Sequence, residues 1–200
     1  VTDFNGDGIV QLAELTIGML GFCGNSSLEI QKANVTHKNH LYTTGLISGR
    51  LMRVNPAALP PTVTMVASGL ASPHGMALQT QTEGGIAVPY AFVTELLAGG
   101  GQIRRINLND GSKAVMCTWL GIPARLQMLT ANGVVTGAVV SDPQPIGGNR
   151  LRKVTFGANP PWSCTTQDLV QNVGFADGFT LLKNAAGNLE RGVFVEAGAE

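Results

Sequence analysis

The chain has 200 residues, 44% of them hydrophobic and 13% charged, and its 13 basic and 13 acidic side chains cancel. This composition supports a folded core, and the charge balance excludes the basic surface that nucleic acid or anionic lipid requires. The longest apolar runs, such as 133–140, are far shorter than the roughly 18 residues that span a bilayer. The 26 Gly and 10 Pro favour short strands and tight turns over a helical bundle.

Residues 3–14 read D-F-N-G-D-G-I-V-Q-L-A-E and match the calcium loop of EF-hand proteins. That loop requires oxygen ligands at positions 1, 3 and 5, glycine at 6, a carbonyl at 7 and a bidentate carboxylate at 12. The alternative is an Asx-rich turn, which needs neither the twelfth-place carboxylate nor the apolar run behind it. The predicted calcium ligands are the side chains of Asp3, Asn5, Asp7, Gln11 and Glu14 and the main-chain carbonyl of Ile9.

A predicted helix follows this loop. Apolar residues recur there at helical spacing and two glycines end the run: Leu12, Leu15, Met19 and Leu20, then Gly21 and Gly24. The unit over 1–24 resembles a dockerin repeat, which usually occurs in pairs, so a second copy lies upstream of Val1 or does not exist. Residues 25–39 are expected to be a linker.

Four short elements then recur in the same order about every 50 residues. The first is apolar, the second ends in an acidic residue, the third alternates apolar with basic residues, and the fourth is a further β-rich run. The first lies at 73–78, 124–129 and 176–181, and the second at 91–95, 138–142 and 193–197. The third lies at 50–55, 102–107 and 150–155, and the fourth at 63–67, 114–118 and 163–166.

The segments P-H-G-M-A-L, A-F-V-T-E and G-G-Q-I-R-R-I-N resemble the NHL and SMP-30 group of six-bladed β-propellers. The sequence therefore predicts a mainly β fold, a partial β-propeller of four-stranded antiparallel blades behind a small N-terminal calcium loop-helix module. Residues 40–200 would hold about three and a half blades: an incomplete one over 40–69, then 71–121, 122–171 and half a blade over 173–200. We expect the natural chain to continue beyond Glu200, because an open arc of blades exposes sheet faces and edges.

Three chemically different residues, His74, Arg125 and Asp177, each precede the last leucine of the first element by four positions. Because the resemblance places these loops at one end of the propeller channel, they are the candidate ligand-binding residues, for a small anionic or hydroxylated ligand. The alternative for His74 is a Pro-His-Gly turn in which the imidazole satisfies a local carbonyl. By contrast, Glu95 and Asp142 recur in matching places and are expected to accept backbone hydrogen bonds at turns.

The basic strands are not expected to bind nucleic acid, because alternation places half of their Arg and Lys side chains on a solvated face. Three cysteines, Cys23, Cys117 and Cys164, are too scattered for a zinc site. Cys23 is a candidate for pairing outside this chain. Burial as small apolar residues is the favoured fate of Cys117 and Cys164, with a disulfide between them as the alternative.

The leading functional hypothesis is a secreted or cell-surface calcium-binding protein whose NHL-like propeller serves as a platform for a protein or a small polar ligand. Calcium would be structural, the calcium module could have its own protein partner, and neither nucleic acid nor membrane insertion is expected. The alternative is an extracellular six-bladed propeller enzyme of the lactonase or quinone-dependent sugar dehydrogenase type. The absence of a signal peptide is uninformative, because the chain starts at Val1 rather than at Met.

Overall fold

The computed structural model of the protein describes residues 25–33, 35–119, 121–143, 149–157, 163–173, 175–183 and 189–197. Over these residues the fold is mainly β, as predicted, and contains strands but no helix. The predicted calcium loop and the helix behind it lie outside the described residues. The strands are β1 (Asn25–Ile30), β2 (Leu41–Gly45), β3 (Arg50–Asn55), β4 (Thr62–Ala67), β5 (Pro73–Glu83), β6 (Ile86–Leu97), β7 (Gly100–Asn107), β8 (Lys113–Trp119), β9 (Leu126–Ala131), β10 (Val134–Asp142), β11 (Asn149–Phe156), β12 (Cys164–Val173), β13 (Phe175–Lys183) and β14 (Leu189–Ala197).

The strands form antiparallel sheets in which each strand pairs with its neighbour in sequence. Sheet 1 holds β1–β4, sheet 2 holds β5–β8, sheet 3 holds β9–β12, and β13 pairs with β14 in sheet 4. The predicted order of the four repeated elements is therefore confirmed, and the three basic strands, β3, β7 and β11, belong to different sheets. Short hairpins allow this meander. Asn132 and Gly133 both have positive φ, 52° and 77°, which is the conformation that a two-residue Asn-Gly turn needs between β9 and β10.

The first sheet is larger than the sequence predicted. Residues 25–30, assigned to a linker, form β1, which pairs with β2 from Ile30 opposite Leu41 to Asn25 opposite Gly45. The segment N-S-S-L-E-I lacks the regular apolar alternation that marks a strand, so its strand character comes from pairing with β2 rather than from local pattern. The sheet over 25–67 is therefore four-stranded instead of incomplete.

The core lies between the sheets. One buried cluster joins sheet 1 to sheet 2, and a second joins sheet 2 to sheet 3. Strand β6 serves both, because successive side chains of a strand point to opposite faces: Ala91 and Val93 pack toward sheet 1, whereas Tyr90 and Phe92 pack toward sheet 3. Burial on both faces explains why this strand reads as an almost continuous apolar run.

A disulfide joins the fourth strands of sheets 2 and 3. Cys117 of β8 and Cys164 of β12 are bonded, with their Cα atoms 5.5 Å apart and a sequence separation of 47. The favoured expectation of two separate buried thiols is therefore wrong. The repeat gives no signal for this bond, because Cys117 lies opposite Ile103 and Cys164 lies opposite Phe156, which are not equivalent positions of the two sheets.

Candidate functional site

The acidic residue that ends the second strand of sheet 2 is a buried structural brace. Glu95 has no exposed side-chain area, and its Oε1 accepts a hydrogen bond from the backbone N–H of Ala71 at 2.8 Å. Its Oε2 accepts from Nε2 of Gln102 and, at 2.7 Å, from Nε of Arg104. The carboxylate thus ties the start of the sheet to its second and third strands. The predicted capping role is confirmed, although Arg104, 19% exposed, is not on a solvated face.

Asp142 repeats this arrangement in sheet 3. Its Oδ1 accepts the backbone N–H of Ile122 at 2.7 Å, and its Oδ2 lies 3.2 Å from the guanidinium of Arg152, which in turn binds Asp168 at 2.9 Å. In sheet 1 the position of the carboxylate is taken by Gly45, which pairs with Arg50, and the position of the arginine is taken by Met52. The carboxylate and the arginine are therefore lost together, as expected if each exists for the other rather than for a ligand.

Two of the predicted ligand-binding residues lie where the first strands of sheets 2 and 3 begin. His74 is in β5, and Arg125 immediately precedes β9. The backbone N–H of Gly75 donates to Oγ1 of Thr94 at 2.7 Å, and that of Arg125 donates to Oγ of Ser141 at 3.0 Å. Thr94 directly precedes Glu95 and Ser141 directly precedes Asp142, so these two hydroxyl residues occupy equivalent positions of sheets 2 and 3.

Arg125 therefore matches Gly75 of sheet 2 and not His74, which corrects the alignment that motivated the prediction. The prediction depends on Leu78 and Leu129 being equivalent residues of the repeat. Leu78 pairs with Ala91 and Met128 pairs with Ala138, so Met128 is the true equivalent of Leu78. An offset of one residue in the first strands cannot be detected from the sequence, because both neighbours are apolar.

Arg125 acts electrostatically on two other residues, His74 of β5 and Glu29 of β1. Burial lowers the pKa of His74, and the positive charge of Arg125 lowers this pKa further. Burial raises the pKa of Glu29, while Lys32 and the same Arg125 partly oppose that rise. Arg125 is thus within electrostatic range of groups on both β1 and β5. Asp177 falls in β13, and its side chain is outside the described part of the chain, so its place beside the others remains a prediction.

A cavity of about 570 Å³ separates β1 from β5 next to Glu29. One wall is formed by 28–33 and the other by Leu78, Gln79 and Thr80. This cavity could not be predicted from the sequence, because residues 25–39 are expected there to be a linker and not part of a sheet. A single carboxylate inside a short polar stretch gives no signal by itself, and Glu29 becomes notable only when β1 is placed against β5.

Across the described ranges, no group of three or more His, Cys, Asp or Glu is arranged to hold a metal ion. The predicted calcium ligands all fall within 3–14, outside these ranges, and their donor atoms are oxygens only, as calcium prefers. The described residues also include no helix long and apolar enough to cross a membrane. The chain matches neither a protein-family model nor a curated protein.

Proposed function

We propose that this chain is a calcium-binding protein whose sheets are consecutive blades of an NHL-like β-propeller, and that the propeller is a binding platform. Support for the blades comes from the order of the sheets. Sheets 1, 2 and 3 pack in chain order through continuous apolar clusters, and the first strand of each contacts the first strand of the next. Neighbouring blades around a common axis have this relationship.

The ligand site of the platform is proposed at the start of the first strands, and one observation carries it: Gly75, the neighbour of His74, lies directly against the backbone of Ala124 and Arg125. The effect of Arg125 on the pKa of His74 and of Glu29 agrees with this placement. Because the pKa of His74 is below its ordinary value, its imidazole is neutral at pH 7 and can donate one hydrogen bond and accept another. Arg125 presents a planar guanidinium suited to a carboxylate. Together they favour a small anion that also carries a hydrogen-bonding group.

Calcium is proposed at 3–14, where it would stabilise the module that precedes β1. Export is proposed as well, and the bond between Cys117 and Cys164 supports it, since disulfides persist mainly in oxidising compartments.

The anion site is tested by titrating the ¹⁵N-labelled protein with succinate and following its NMR spectrum. Shifts of the His74 and Arg125 amides are expected to saturate together, and Arg125→Gln is expected to abolish them. Arg191→Gln, which removes an exposed arginine of β14, is the matched control and should leave the titration unchanged. Saturable succinate binding that survives Arg125→Gln would place the site elsewhere.

Calcium binding is tested separately by calorimetric titration of the whole chain. The Asp3→Ala, Glu14→Ala double variant is expected to lose the calcium-dependent heat, because it removes the first and last ligands of the loop. The control Glu83→Ala, Asp110→Ala removes two exposed carboxylates, one from the end of β5 and one from the turn between β7 and β8, and should retain that heat. Equal heats from the two double variants would refute the assignment.

A further inference from the structure

Two polar side chains that line the cavity between β1 and β5, Gln31 and Thr80, each have a buried atom with no hydrogen-bond partner in the described part of the chain. Gln31 is only 3% exposed, and its Oε1 accepts the backbone N–H of Ala33 at 3.0 Å. This bond fixes the amide so that Nε2 is left as a donor, and Nε2 has no hydrogen-bond partner among the described residues. The hydroxyl of Thr80 on the opposite wall is also buried and without a partner there.

The backbone around Gln31 is rigidly connected. Its N–H donates to the carbonyl of His40 at 3.0 Å, and its carbonyl accepts from the N–H of Asn39 at 2.7 Å. These backbone bonds close the turn between β1 and β2 and fix where the side chain of Gln31 starts, while the bond from the N–H of Ala33 orients its amide. Since leaving a buried polar group unpaired is unfavourable, two such groups in the walls of one cavity indicate that something else satisfies them.

The charges of the lining indicate the kind of molecule. Glu29 and Lys32 both line the cavity, have opposite charges and act on each other electrostatically. A ligand with one net charge would be attracted by one of them and repelled by the other. A neutral ligand meets no such penalty, and its hydroxyl groups can donate to the carboxylate and accept from the ammonium group.

The apolar residues of the lining indicate the shape of the bound molecule. A volume of about 570 Å³ is in the range of small-ligand pockets, and Leu28, Ile30 and Leu78 provide apolar contact between the polar groups. Leu28 is 61% exposed, so it offers an apolar surface that a ligand would cover. A monosaccharide ring has both kinds of surface, with C–H groups on its faces and hydroxyls around its edge.

We infer that the cavity between β1 and β5 binds a neutral polyhydroxylated molecule of monosaccharide size, held by Glu29, Gln31, Lys32 and Thr80. This inference goes beyond the proposed anion site and requires neither bound calcium nor a closed propeller.

Saturation-transfer NMR of the full chain tests it with three probes that share one ring: glucose, glucuronate and glucosamine. Glucose is expected to bind with a millimolar dissociation constant, and the two charged analogues are expected to bind at least threefold more weakly. Galactose and mannose are included because the position of each hydroxyl is not fixed by the cavity charges. No saturable transfer to any neutral sugar, or stronger binding of either charged analogue, would overturn the inference.

Matched variants locate the site. Thr80→Val and Glu29→Gln both keep the shape of their side chains. Thr80→Val removes one hydrogen bond and Glu29→Gln removes the negative charge of an acceptor, so each is expected to weaken sugar binding by about three- to tenfold. Thr82→Val makes the same change at an exposed position of the same strand and should have no effect. If both cavity variants bind like the unaltered protein, or if Thr82→Val is equally impaired, the cavity is not the site. Because Arg125→Gln should leave sugar binding in place, failure of the anion site and failure of this site are distinguishable.

Discussion

The brace around Glu95 gives the sharpest test of how the sheets are held together. Changing Glu95→Ala leaves the backbone N–H of Ala71 and the amide of Gln102 without their acceptor. It also leaves the mostly buried guanidinium of Arg104 without its counter-charge. Removing one partner of a buried ion pair costs about 3–5 kcal/mol, so the free energy of unfolding is expected to fall by that amount.

The repeat suggests the compensating change. Sheet 1 has Met52 at the place of Arg104, so Arg104→Met should be accepted once the carboxylate is gone. The double variant Glu95→Ala, Arg104→Met is expected to be about 1–2 kcal/mol more stable than Glu95→Ala alone, because the uncompensated charge is removed.

Urea unfolding, followed by far-ultraviolet circular dichroism, measures all members of this double-mutant cycle. Glu83→Ala is the control, because Glu83 also pairs with an arginine, Arg105, at 2.9 Å, but its side chain is 46% exposed. It should cost less than about 1 kcal/mol, as exposed pairs do. The reasoning fails if Glu95→Ala costs no more than Glu83→Ala, or if the two changes at Glu95 and Arg104 are simply additive.

Three further predictions concern the disulfide, the buried acid and one close approach of the backbone. Removing the disulfide with Cys117→Ala, Cys164→Ala is expected to lower the free energy of unfolding by about 4 kcal/mol, from the chain entropy of a loop of this length, and a loss under about 1 kcal/mol in urea titrations would contradict this. Glu29→Gln is expected to stabilise the protein at pH 7, because the pKa of Glu29 is raised on folding and its ionised form therefore opposes folding above the ordinary pKa of 4.5. Below pH 4.5 the carboxyl is protonated in both states, so the gain in stability should vanish. Thermal unfolding from pH 3.5 to 8 measures this gain, and a gain that is the same at every pH would contradict the prediction. Gly75→Ala is expected to cost about 1–3 kcal/mol, because a Cβ there would overlap the backbone carbonyl of Ala124, whereas Gly99→Ala meets no atom within 4 Å and serves as the control in the same denaturation experiment.

The local pattern of the sequence was sufficient for the central strands. Segments such as A-F-V-T-E and Q-I-R-R-I-N carry their strand signal in their own residues, because a strand buried on both faces needs a run of apolar and β-branched side chains. Their recurrence in fixed order predicted the meander of four strands. The capping role of Glu95 could also be predicted, since a polar residue that recurs at one place of a repeat serves the repeat.

Only the tertiary structure decided the first strands and the cavity beside them. β1 has little strand pattern of its own and exists because its backbone groups pair with β2, so Glu29 and Gln31 could not be recognised as lining residues. The correspondence of Arg125 with Gly75 likewise depends on which backbone atoms pair, and a shift of one residue changes no composition or periodicity that a sequence displays. Sequence fixes what each residue can do chemically, but pairing between distant strands fixes which residues meet.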